Sequence, residues 1–283
     1  MITELITSDG RTVRVSDRGS GPAVVVLHGG DAGRSPYAAS LDVWNPLTEM
    51  LGGHRVIALD RPGFGGSPAT SAADLTYAAA ERVVLDVVRQ LGIDAFHVVG
   101  HGEGGLLALQ ITRNPAVRVL SCAVLAGTEA APTGDSALNL RLANPPRPSS
   151  SRAAQAWALE RLSYTPHHIG ELLDIALAHA AAPAVAADLL DDAALHSDLL
   201  SAKDALFGYA RDTGYSVPIS LVWSSDDPLS PVERGVALLN LLASTTAELS
   251  LQVVNRVGHF PFRERPDEVA RLLLPFFARH GSA

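Results

Sequence analysis

Short apolar runs alternate with amphipathic stretches along most of the chain. Ala23–Gly30, Arg55–Gly63, Phe96–Gly100, Leu120–Gly127 and Ile219–Asp227 each read as a strand that is apolar on both sides and ends in a glycine or polar loop. Leu41–Leu51, Thr76–Leu91 and Leu106–Asn114 lie between them and repeat apolar residues at helical spacing. Strands that are apolar throughout and separated by helices predict an α/β protein, with a mostly parallel sheet covered by helices on both faces. Ahead of these, Glu4–Thr7 and Thr12–Ser16 flank Asp9-Gly10, a hairpin signal. In such a sheet the loops at the carboxyl ends of the strands carry the chemistry.

The alternation stops once. From Ala130 to about Tyr215 there is no convincing strand, and the Pro/Ser stretch Asn144–Ser151 leads into helical segments. Thr165-Pro166 has the form of a helix start, an N-cap followed by a first-turn proline, and Pro183 starts another. The region predicts a helical cap inserted after the sixth strand. The expected organisation is therefore core 1–129, cap 130–215 and core 216–283. Leu138, Leu142, Trp157, Leu159, Leu162, Leu172, Ile175, Leu206 and Phe207 give the cap apolar surface that either packs or lines a pocket.

Composition narrows the function classes. With 283 residues the chain can bury a substantial core, and its formal net charge is −8 with no basic cluster, which argues against a nucleic-acid surface. Cys122 is the only cysteine, so no intrachain disulfide can form, and its apolar neighbours make it a core side chain. The polar, alternating N-terminus lacks the apolar stretch of a signal peptide, and no run reaches membrane-spanning length. These features lead us to expect a cytoplasmic protein that meets neither membrane nor nucleic acid. The expected partners are a small-molecule substrate and, in a homodimer, a second copy of the chain.

The candidate chemistry centres on His97–Gln110, a strand running through a glycine turn into a helix. A turn of this kind usually holds a serine, as G-x-S-x-G, but here it reads Gly100-His101-Gly102-Glu103-Gly104. Four further motifs stand in order around it: Val25–Gly30, Leu59–Ser67, Leu221–Pro231 and Val257–Val269. Together the five closely resemble the α/β-hydrolase superfamily over nearly the whole chain, and in particular its capped epoxide-hydrolase, C–C-hydrolase and esterase-like group. The resemblance implies a nucleophile at position 102, an acid at Asp227 and a histidine at His259. Glycine stands where the nucleophile should be.

Each motif also has a physical reading. A helix starting straight after a strand points backbone N–H groups at the turn. The amide of Glu103 is thus one expected oxyanion donor, and the loop at Gly30 or Asp31 supplies a second, with Gly29 and Gly30 allowing close backbone approach. Two such donors act on an oxygen that gains charge, at about 3–4 kcal/mol each. His259 is the expected proton carrier, with Asp227 fixing its tautomer. His28 and His101 are expected to serve loop packing and hydrogen bonding, with the pocket as their alternative place. Glu129 is expected to be a surface residue, with a replacement acid or pocket group as its alternative, Trp157 is a candidate pocket residue, and Asp60 a structural carboxylate. The Glu103 side chain, one residue past the turn, is expected to point elsewhere. Ser35, Thr128 and Ser224 have no spacing that argues for a substitute nucleophile. No metal-ligand cluster or dinucleotide fingerprint is present, so no cofactor is expected.

Three readings of Gly102 stay open. The protein is an enzyme without a covalent intermediate, using a His–Asp pair and an oxyanion hole for lyase, cyclase, dehydratase or water-mediated hydrolytic chemistry on a small, largely apolar carbonyl compound. Or it is a serine hydrolase of esters or C–C bonds whose nucleophile has been replaced to trap substrate. Or it is a non-catalytic small-molecule binder.

Overall fold

The computed structural model describes residues 2–32, 35, 37, 39–131, 146–164, 169–182 and 184–281. Thr165-Pro166, Pro183, Leu138 and Leu142 lie outside them. Eight strands form one sheet: β1 Ile2–Ile6, β2 Thr12–Gly19, β3 Ala23–Leu27, β4 Arg55–Leu59, β5 Ala95–His101, β6 Arg118–Leu125, β7 Ile219–Ser224 and β8 Leu249–Val254. Their order is β1-β2-β4-β3-β5-β6-β7-β8. The β1–β2 and β2–β4 pairs are antiparallel, and every other neighbouring pair is parallel.

The apolar strands bury both faces. Along β3, Val25 and Leu27 join one core cluster, with Val98, Leu107 and Trp223, while Val24 and Val26 join the other, with Val99, Trp44 and Phe277. All five residues of β3 are buried. Each such side chain stabilises the fold by about 1.5–3 kcal/mol, which is why these strands read as unbroken apolar runs instead of alternating ones. The hairpin strand β1 at the sheet edge alternates exposed and half-buried residues along its length.

The helices differ in detail from the expected spans. Thr76 caps α2 (Tyr77–Gln90), its hydroxyl accepting from the Ala79 N–H. The segment 41–51 divides into a 3₁₀ turn, Leu41–Trp44, and α1 (Asn45–Met50), with Pro46 in the first turn, where its missing N–H costs nothing. Helix α3 (Glu103–Thr112) starts directly at the glycine turn, ahead of the expected Leu106, because Gly102 itself serves as its N-cap residue. Strand β8 was not foreseen. Its half-exposed residues at the sheet edge lack the unbroken apolar run of the central strands.

Between β6 and β7 lie α4 (Arg152–Leu162), α5 (Gly170–Ala181) and α6 (Asp192–Asp212). Leu159, Leu162 and Leu172 are buried in one of the two clusters that flank the sheet, with Phe260 and Phe262, and Leu206 is buried in the other. Ile175 and Phe207 pack against the same clusters. These apolar residues therefore bind the helices to the core, and none of them lines a described cavity. The chain then runs through α7 (Val232–Leu242), the short α8 (Pro261–Glu264) and α9 (Pro266–His280). Among the described residues no helix is long and apolar enough to cross a membrane.

Candidate active site

The glycine turn sits between β5 and α3. Three of its glycines have no room for a side chain. A Cβ on Gly100 would strike the Gly104 carbonyl, one on Gly104 the Leu27 carbonyl, and one on Gly105 would come within 2.8 Å of Val124. Gly102 is different. Its φ of +54° belongs to the region that favours glycine, but a Cβ there would meet only the Gly29 Cα, at an ordinary 3.5 Å. Space exists at the one position where the turn presents a residue, and backbone conformation alone favours glycine in it.

His259 follows β8 in the loop before α8. Its Nδ1 lies 2.8 Å from an Asp227 oxygen, and both side chains are buried. The other Asp227 oxygen accepts the Leu229 and Ser230 N–H groups at 2.8 and 3.0 Å, so the carboxylate is locked. Nδ1 therefore carries the proton given to Asp227, leaving Nε2 for chemistry. Burial alone would lower the His259 pKa, but Asp227 beside it, with Glu103 and Glu264 adding, raises it above the ordinary histidine value. Asp226 next door is exposed and accepts from Ser225.

The histidine backbone is held as firmly as its ring. Its N–H donates to the Leu162 carbonyl at 2.6 Å, at the end of α4. Its carbonyl lies 2.8 Å from Nε2 of His101, whose ring packs 4.5 Å from that of His259. His101 is thus a buried strut between the glycine turn and the histidine loop, and burial holds its pKa well below the usual range. His28 is also wholly buried. Its Nε2 accepts the Arg61 N–H at 3.1 Å, and its ring meets Phe64 edge-on. Neither histidine is among the residues that line the described cavities, and both make the packing and hydrogen-bonding contacts expected of them. Trp157 is half-buried, with the Arg161 guanidinium 4.2 Å over its ring. Asp60 is structural, bonded to the N–H groups of Leu41 and Gly66 and to Arg14.

The oxyanion loop departs most from expectation. The Gly30 N–H donates to the carboxylate of Glu103, and the Asp31 N–H to the hydroxyl of Ser35. Both loop donors are therefore engaged by side chains of the chain itself. The Glu103 side chain does not point away from the turn, because the first residue of α3 leans over the close-packed loop at Gly29 and Gly30. Behind it stands Glu129, whose Oε2 is buried without a hydrogen-bond partner among the described residues. Burial, and then the nearby Glu103, push the Glu129 carboxyl well above the usual carboxylate range. Asp227, not Glu129, bonds His259.

A cavity of about 460 Å³ opens between this loop and the helices that follow β6, lined by Asp31, Ser35, Tyr37, Phe64, Gln155 and His179. Tyr37 stands edge-on to His259 with ring centres 6.5 Å apart, which places the cavity next to the histidine. Among the described residues no group of three or more His, Cys, Asp or Glu side chains is placed to hold a metal ion. Cys122 is buried in the sheet, and burial pushes its thiol up to about 12.

A sheet of this order, a glycine turn between β5 and α3, and an acid and a histidine after β7 and β8 are brought together by one fold. The family model described as the Alpha/beta hydrolase family matches residues 24–272. The chain belongs to that family. It is 27% identical over 285 residues to a 2-hydroxy-6-oxononadienedioate/2-hydroxy-6-oxononatrienedioate hydrolase of Klebsiella pneumoniae, covering 97% of this chain and 94% of that one. An Escherichia coli O139:H28 protein of the same name is 27% identical over 288 residues, covering 95% and 93%. Among solved structures, the 2-hydroxy-6-oxo-6-phenylhexa-2,4-dienoate hydrolase of a Rhodococcus species superimposes with a TM-score of 0.73 at 18% identity, covering 98% of this chain and all of that one. An esterase of Exiguobacterium antarcticum gives 0.71 at 18% identity, covering 98% of each. Proteins named as hydrolases of different compounds and as an esterase share this fold, so the fold alone does not choose the reaction.

Proposed function

We propose that this α/β-hydrolase-family chain is an enzyme that works by acid–base catalysis, without a covalent intermediate at position 102 and without a cofactor, on a small, largely apolar carbonyl compound. The observation that carries the reading is the locked His259–Asp227 pair beside a turn whose central residue has no side chain. A proton carrier is in place, and nothing at residue 102 can be acylated. Proton transfer by a placed side chain contributes about 10²–10⁴-fold.

Within that class, the names of the relatives favour hydrolysis by water. The water oxygen adds to the carbonyl carbon, and one of its protons passes to Nε2 of His259. The carbonyl oxygen takes the electron pair, next to the amide of Glu103 at the start of α3. Collapse breaks the bond to the leaving group, which takes the proton back from His259. The relatives' own substrates are carried over only as a class, a ketone conjugated to an enol. The test is turnover of such ketones and of simple aryl esters by the unmodified chain. His259→Ala should abolish it, and retention of turnover in that variant would remove the reading.

One observation favours a second reading, the serine hydrolase with its nucleophile replaced. Of the turn's glycines only Gly102 has room for a Cβ, and its positive φ is that of a nucleophile turn. If Gly102→Ser creates a fast esterase from a chain that turns over nothing, this second reading replaces the first.

A further inference from the structure

The engagement of both oxyanion-loop donors has a chemical consequence. A developing oxyanion cannot use the Gly30 N–H while the Glu103 carboxylate occupies it, nor the Asp31 N–H while Ser35 does. The groups left to meet negative charge are the Glu103 amide at the start of α3 and His259, whose pKa Asp227 raises above that of an ordinary histidine. Glu103 is meanwhile a carboxylate seated in the oxyanion loop beside the turn: one of its oxygens and Nδ1 of His101 flank Gly29, and the His101 ring packs 4.5 Å from that of His259. A fixed carboxylate and a fixed imidazolium on one site are the components of a base and an acid.

We propose that Glu103 is a second proton-transfer residue of this site, acting as the base while His259 acts as the acid. The proposal rests on the acid–base reading above but changes the division of labour in it: Glu103, not His259, takes the first proton, and His259 starts protonated. In the step it performs, a proton leaves the substrate carbon next to the carbonyl, or an attacking water, and goes to a Glu103 oxygen. The electron pair it leaves forms the enol double bond, or the new C–O bond. The carbonyl oxygen takes the displaced π pair together with the Nε2 proton of His259. The products are a neutral enol or hydrate, a glutamic acid and a neutral imidazole, so charge and atoms balance. Proton exchange through solvent resets the pair. Burial pushes the Glu129 carboxyl behind Glu103 towards its neutral form, which fits this arrangement, since a second carboxylate there would raise the cost of charge on the first. As a protonated Glu103 loosens its hold on the Gly30 N–H, that donor becomes available to the product oxygen.

Two measurements on the full chain test this, with Glu103→Gln and Glu103→Ala checked for native melting. The first follows the His259 ring by NMR titration and needs no substrate. Both variants should lower its midpoint, because each removes a nearby negative charge. An unchanged midpoint overturns the proposal by showing that the carboxylate does not face the histidine. The second follows exchange of the α-hydrogens of phenylacetone in deuterium oxide. The unmodified chain should catalyse it, Glu103→Gln should lose about 10²-fold, and the limb of the pH profile that belongs to the base should vanish with it. Exchange by Glu103→Gln at the unmodified rate overturns the catalytic role. Loss of exchange in the unmodified chain itself counts against the acid–base reading as a whole, and the titration then reports separately on the Glu103–His259 pairing.

Discussion

Nδ1 of His259 donates to Asp227 across 2.8 Å, and the aspartate spends its other oxygen on two backbone N–H groups. The acid is therefore a fixed part of its own loop, and the imidazole is oriented by it. Asp227→Asn would keep the shape but offer an amide N–H where the ring needs an acceptor, turning the tautomer. Activity on any carbonyl compound the protein converts should fall by about 10³–10⁴-fold. Glu129 makes no bond to His259, so Asp227→Asn in a Glu129→Gln background should fall no further. A deeper loss in the double variant would restore Glu129 as a shared acid.

The glycine turn makes a prediction by contrast. Gly102→Ser puts its Cβ in ordinary contact with the Gly29 Cα and costs only its positive φ, about 1 kcal/mol or slightly more. Gly104→Ala places a methyl against the Leu27 and His28 carbonyls and should be far more destabilising. Thermal melts of the two variants side by side check this. Equal losses would mean that the turn is not built as described.

Buried histidines set the acid stability. His28, His97 and His101 all have pKa values lowered by burial, His97 to about 4. The unfolded chain takes up these protons near pH 6.5 and the folded chain does not. The stability they contribute is thus full above that pH and is lost as pH falls towards 4 and below. His259 has the opposite sign: its raised pKa adds stability that is full below the unfolded value and is lost as pH rises through the folded one. The denaturation midpoint should fall on acidification from pH 6.5. His97→Gln should remove up to one proton from that slope, about 1.4 kcal/mol per pH unit. An identical slope in the variant would contradict a neutral, buried His97.

Much of the fold was legible because its cause is local. Val24 to Leu27 are apolar on both sides of the strand, and that run is what a doubly covered sheet requires. The edge strand Leu249–Val254 was not legible, since a half-exposed strand carries no such run. His259 and Asp227 could be found from their loops. The position of Glu103 could not, because it depends on Gly30, 73 residues away in sequence. The signal that could have found it is a glycine loop beside a helix whose first residue is acidic. Whether Leu159, Leu162, Leu172 and Leu206 pack or line a pocket could not be read from their apolar character; they pack, because the helices after β6 share the sheet's own core clusters.

The central claim is a reaction with no covalent intermediate at the turn. Intact-protein mass spectrometry during turnover of p-nitrophenyl acetate, and after exposure to a serine-directed fluorophosphonate, addresses it most directly. The unmodified chain should release p-nitrophenol in a His259-dependent way while its mass stays constant, and the fluorophosphonate should leave it unlabelled. Gly102→Ser should gain both an acyl adduct and the label. An adduct on the unmodified chain would contradict the account, because another side chain would then be serving as nucleophile.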